Sequence, residues 1–100
     1  MRQSSRIRIE YLSGPDDGKI VAFSKDAITV GRDPGQDVVL LHDPAVSRRH
    51  ARLVRDGDHL YVEDVGSQQG TFVDGQRVET RTELRSGMMI RLGNSWFGIP

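Results

Sequence analysis

Residues 60–75 read Leu60-Tyr61-Val62-Glu63-Asp64-Val65-Gly66-Ser67-Gln68-Gln69-Gly70-Thr71-Phe72-Val73-Asp74-Gly75. Two short runs rich in β-branched and aromatic residues flank a polar, glycine-bounded lapse, and the second run ends on Asp-Gly. Side chains of a strand alternate between faces, and Asp-Gly supplies the positive-φ residues of a tight hairpin. The stretch therefore predicts strand, loop, strand and turn within sixteen residues, which leaves no room for a helix.

The same grammar extends in both directions. Arg6-Ile7-Arg8-Ile9-Glu10-Tyr11 alternates polar with apolar, and Ile20–Phe23, Ala27–Val30, Val38–Leu40, Ala51–Val54, Met88–Leu92 and Trp96–Ile99 are short apolar runs between turn residues. Asp16-Asp17-Gly18, Asp56-Gly57-Asp58 and Gly93-Asn94 supply further turns. No stretch carries an amphipathic helical pattern. Many short strands at spacings near ten residues predict an all-β sandwich or barrel. One domain over residues 6–100 is expected, preceded by a flexible end at residues 1–5. A chain of 100 residues suits a single core burying about 60–70% of its unfolded surface.

Two segments break the strand pattern. Leu41 to His50 reads Leu-His-Asp-Pro-Ala-Val-Ser-Arg-Arg-His, and Asp64 to Gly70 is the lapse already quoted. With the turn after Gly31, these are the loops on which a rigid sandwich would carry a binding site. They hold Gly31-Arg32, Ser47-Arg48-Arg49-His50 and Ser67-Gln68-Gln69-Gly70-Thr71. An arginine at a strand end offers a planar fork of donors, and a serine hydroxyl with nearby amides can complete a shell around a phosphoryl group. That task needs no metal, cofactor or nucleophile.

Composition narrows the partners. Lys+Arg and Asp+Glu are 14 each, so no global field attracts nucleic acid or an anionic membrane, and an anion site must be local. No apolar run approaches the roughly 20 residues of a membrane-spanning helix, and the start does not read as a signal peptide. Zero cysteine excludes disulfides and thiolate metal sites and agrees with a cytoplasmic setting. His42 and His59 have no metal-ligand spacing and read as surface residues.

The three motifs, in this order, resemble those of the forkhead-associated domain. Gly31-Arg32 is similar to the family's first motif, Ser47-Arg48-Arg49-His50 to its SRxH motif, and Asp64 to Gly75 to its DxxSxNGTxxNG stretch. The resemblance covers nearly the whole chain. It implies a sandwich of two mainly antiparallel sheets, about eleven strands in all, with the binding loops at one end. It also implies a signalling module that docks a phosphothreonine-containing protein or peptide, a serine/threonine kinase substrate or its own phosphorylated segment.

Carried across residue by residue, Arg32 and Ser47 would hold the phosphate, with Arg48 adding its amide or side chain. Gln68 and Gln69 would face the peptide. Gly31, His50, Gly70 and Thr71 would support the site, with His50 bracing the loop that presents Ser47. Gln69 departs from the family's asparagine by one methylene, and Ala45 stands where some members carry a basic residue, which implies a small or apolar preference further along the peptide.

Three other readings remain. The fold could serve as a phosphate-independent interaction or assembly module, with Gln69 marking the divergence. Arg48, Arg49, Arg52 and Arg55 could form a nucleic-acid stripe, although alternation sends strand neighbours to opposite faces and leaves Arg49 and Arg52 as solvated surface. Ser47, His50 and Asp64 supply the residue types of a catalytic triad. Ser47 and His50 share one short loop, however, and no Gly-x-Ser-x-Gly turn frames the serine. The expectation is a binding module and no enzyme.

Overall fold

A computed structural model describes residues 5–100 and places eleven strands in two sheets. The flexible end expected at residues 1–5 lies outside the described residues except for Ser5, which is exposed. One sheet has the order β2 (Ile20–Phe23), β1 (Ile7–Tyr11), β11 (Ser95–Gly98), β10 (Met89–Leu92), β7 (Thr71–Val73) and β8 (Gln76–Arg77). The other has the order β4 (Val38–Val39), β3 (Ala27–Gly31), β5 (Ala51–Asp56), β6 (His59–Asp64) and β9 (Thr82–Leu84). Among the described residues, β3 and β4 form the one parallel pair, and the other ladders are antiparallel. The expected sandwich is borne out.

Alternation builds the core. On the inner face of the five-stranded sheet, Ile28, Leu53 and Val62 stand in one register row, and Val73, Ile90 and Phe97 form a row on the opposing sheet. All six are buried, and each contributes about 1.5–3 kcal/mol by removing its side chain from water. Tyr11 closes on Phe97 with ring centres 5.0 Å apart.

Strand ends differ from the sequence reading where pairing outlasts hydrophobicity. β5 and β6 extend to Asp56 and from His59 to Asp64, because their ladder runs from Asp56↔His59 to Ala51↔Asp64 whatever the side chains. β8 and β9 carry no apolar run and were outside the sequence signal. Both are edge strands, where pairing on one side suffices. The Asp74-Gly75 hairpin forms as expected, with φ of 48° and 86° and Val73 opposite Gln76. Positive φ at both residues is the type I′ signature.

Candidate functional site

The loops that follow β3, β4, β6 and β10 meet at one end of the sandwich and are stitched together by main chain. Arg32 N donates to Ser47 O at 3.0 Å, Asp33 N to Arg48 O at 3.1 Å, and Val65 N to His50 O at 3.1 Å. Gly31 is required by this contact. A Cβ there would lie 2.1 Å from Arg48 O, so any side chain would drive the two loops apart.

His50 is fully buried, with its ring between the Ser47 loop and the 64–70 loop. Its Nδ1 accepts from Ser47 N at 3.0 Å, which leaves the proton on Nε2 to donate to Gly70 O at 2.9 Å. One ring thus holds two loops 20 residues apart in sequence. The same bonds keep it out of a triad. Nδ1 faces the Ser47 amide, the Ser47 hydroxyl accepts from Gln68 N at 3.0 Å, and Asp64 binds other partners. Ser47, His50 and Asp64 form no triad.

Asp64 organises the 64–70 loop, a role that sequence reasoning left unassigned. Its Oδ1 accepts from the amides of Gly66 and Ser67, each at 2.9 Å. Its Oδ2 accepts from the hydroxyls of Ser67 at 2.5 Å and of buried Thr71 at 2.7 Å, while Ser67 Oγ accepts from Gly70 N at 2.9 Å. Burial would raise the Asp64 carboxyl, but these donors outweigh it and hold the group below its ordinary value. An aspartate three residues before a serine and seven before a threonine was the available signal. Buried Asp43 does the same for the neighbouring loop. It accepts from Ala45 N, Asn94 N and the Ser95 hydroxyl, and these donors likewise depress its carboxyl against the opposing effect of burial.

Within this frame, Arg32 is anchored through Nε, which donates to Val46 O at 2.9 Å. Its terminal nitrogens have no hydrogen-bond or carboxylate partner among the described residues. Arg32 and Arg48 line one shallow depression of about 300 Å³ together with Asp33, Pro34 and exposed Leu41. Ser47 spends its acceptor on Gln68 N, so its own hydroxyl proton is free to donate outward. Gln68 and Gln69 are exposed at the loop tip, and Gly70 adopts a φ of 91° that turns the chain into β7. The FHA domain sequence model matches residues 28–93, which contain all three loop motifs. This chain belongs to the FHA domain family.

This FHA domain is 37% identical over 78 residues to the FHA domain-containing protein FhaB of Mycobacterium tuberculosis, covering 78% of this chain and 50% of FhaB. The chain thus spans about half the length of that curated relative. The FHA domain of the CT664 protein from Chlamydia trachomatis superposes with a TM-score of 0.83 at 30% identity, over 94% of this chain and 95% of that one. A domain solved in a study of phosphothreonine-dependent FHA domain interactions has a TM-score of 0.81 at 28% identity, over 92% of each chain.

The arginine cluster of the FHA domain does not form a stripe. Arg48 lies with Arg32, whereas Arg49 and Arg52 line a separate depression beside Thr29 and Gln36. Arg52 is exposed, as the strand alternation implied, and there it pairs with Glu63 at 2.5 Å, while Glu63 also binds Arg81 at 2.8 Å. Arg55 carries a buried Nε without a hydrogen-bond partner among the described residues. No group of three potential metal ligands occurs among the described residues, and no helix there is long and apolar enough to cross a membrane.

Proposed function

We propose that the loop end binds a phosphothreonine segment of a protein partner and brings signalling components together after kinase action. Arg32 pairs with the phosphate through its free terminal nitrogens, Ser47 donates its hydroxyl, and Arg48 adds its amide or side chain. Gln68 and Gln69 meet the main chain beside the phosphothreonine. The observation that carries this reading is the pre-set donor pair: Arg32 fastened at Nε to Val46 O, and Ser47 fastened as acceptor to Gln68 N, each with its remaining donors unspent. Phosphate at about −1.5 to −2 charge is the ligand that such unspent, charge-assisted donors fit. The module spans residues 6–100, binds without catalysis, and works in the cytoplasm, where ATP-dependent kinases write phosphothreonine.

Titration of a phosphothreonine peptide library, with unphosphorylated and phosphoserine libraries as controls, tests the reading. Binding should be confined to phosphothreonine. Arg32→Ala should weaken it at least tenfold, since a hydrogen bond to a charged group contributes about 1.5–3 kcal/mol. Equal binding of all three libraries by the folded domain would refute it. Gln69 favours one second reading, a phosphate-independent interaction surface, because its longer side chain makes no hydrogen bond to the loop among the described residues. That reading expects partner binding that survives both phosphatase treatment and Arg32→Ala.

A further inference from the structure

The solvent face of the six-stranded sheet carries an unusual row. Trp96 of β11 stands opposite Arg91 of β10, Arg91 opposite Phe72 of β7, and Phe72 opposite Arg77 of β8. Directly paired residues share a face, so aromatic and guanidinium groups alternate across four strands. The Arg91 guanidinium lies 4.3 Å from the Phe72 ring centre and 5.9 Å from that of Trp96, and its Nη1 donates to Gly93 O at 3.1 Å. In the row beside it, Ile20, Glu10 and Met89 face outward around Gly98, which Leu12 covers, with Ile20 49% and Met89 42% exposed. Arg77 and Arg91 have no carboxylate within 4.0 Å among the described residues, and the acids on this face are Glu10 and Asp74, whose Oδ1 accepts from Met89 N at 2.9 Å.

The row begins at the loop end. The Arg77 guanidinium covers Gly70, where a Cβ would meet its Cζ at 3.1 Å. Phe72 follows Gly70 by two residues, about 7 Å along the strand. A bound chain leaving the loops in extended form advances about 3.3–3.6 Å per residue and so reaches the row within a few residues. An arginine held over an aromatic ring keeps donors of its fork that the ring does not use, and with Nη1 given to Gly93 O the rest of the Arg91 fork is available to a carboxylate.

We propose that this row is a second contact for the same phosphorylated polypeptide and receives an acidic flank. Aspartate or glutamate side chains some four to seven residues from the phosphothreonine pair with Arg91 and Arg77 and lay their methylenes on Phe72 and Trp96. The proposal rests on the phosphothreonine reading above. A second copy of this domain is the poorer occupant, because an isologous contact through this face would bring two patches of the same positive charge together and supply the row with no carboxylate of its own.

The test uses the intact domain and fluorescence anisotropy with peptides sharing one phosphothreonine core. One set is the bare core, one adds a glutamate flank on either side, and one replaces those glutamates with glutamine. A glutamate flank should bind about three- to tenfold tighter than its glutamine counterpart, the gain of one or two partly exposed ion pairs, and the gain should shrink as salt is raised. Arg91→Gln should shrink that difference and leave core affinity unchanged, and Arg91→Lys should retain more of it than Arg91→Gln does. Equal affinity of both flanked peptides, with the core still binding, overturns the row and leaves the phosphate site standing. Failure of the folded domain to bind the core overturns both. Sedimentation showing self-association that Trp96→Ser abolishes would assign the face to a second copy and overturn the proposal.

Discussion

Gly31 and Arg32 are adjacent yet fail differently. Gly31 has no freedom to gain a Cβ, because Arg48 O occupies the place 2.1 Å away, and main chain cannot swing aside as a flexible side chain can. Gly31→Ala should cost at least the ~1–3 kcal/mol of an overpacked site, read as a lower urea midpoint at unchanged slope. Arg32→Ala removes a half-buried side chain with one hydrogen bond to Val46 O, so its stability loss should be small while phosphopeptide affinity falls. His50 lies between these cases. His50→Ala orphans both Ser47 N and Gly70 O, at about 1–3 kcal/mol for each buried group left unpaired. The variant should unfold at lower denaturant and lose binding together.

At the scale of elements, the 64–70 loop is ordered by one carboxylate that takes four donors from Gly66, Ser67 and Thr71. Asp64→Ala should leave the flanking strands β6 and β7 protected while the Gly66, Ser67 and Gly70 amides exchange faster with deuterium, since their acceptors disappear directly or through Ser67 Oγ. Unchanged protection of those amides would show that the loop is held by its neighbours instead. The β7–β8 hairpin offers a contrast. Gly75 has a φ of 86° with open space around its Cα, so Gly75→Ala should cost only about 1 kcal/mol of backbone strain.

For the molecule as a whole, acid is the expected denaturant. Burial opposes ionisation of Asp43 and Asp64, but their hydrogen-bond donors prevail, and both carboxyls titrate below their ordinary value of 3.8 when folded. The unfolded chain therefore binds more protons in the window between the two values. The stabilisation is full above the unfolded value and is lost as pH falls through the folded one. Thermal midpoints should hold from neutrality down to about pH 5 and then decline, and the double variant Asp43→Asn with Asp64→Asn should start lower and decline less. Glu63 and Asp37, paired at the surface with arginine and lysine, contribute in the same direction but are screened by salt.

Alternation and turn chemistry are local properties, so the all-β class, nine of the strands and the main turns were legible along the chain, while the choice of sandwich over barrel came from the resemblance of the loop motifs. The loop motifs were legible too, because Gly31, Arg32, Ser47, His50, Gly70 and Thr71 are each tied to their loops by residue type. β8 and β9 were not, since an edge strand needs partners rather than hydrophobicity. Asp43 and Asp64 also escaped, because a carboxylate's role depends on which donors converge on it. Asp43 finds Asn94 and Ser95 more than 50 residues away. The aromatic-arginine row is tertiary in the same sense. Phe72, Arg77, Arg91 and Trp96 become neighbours only when register aligns four strands, and that register is set by burial of the opposite face.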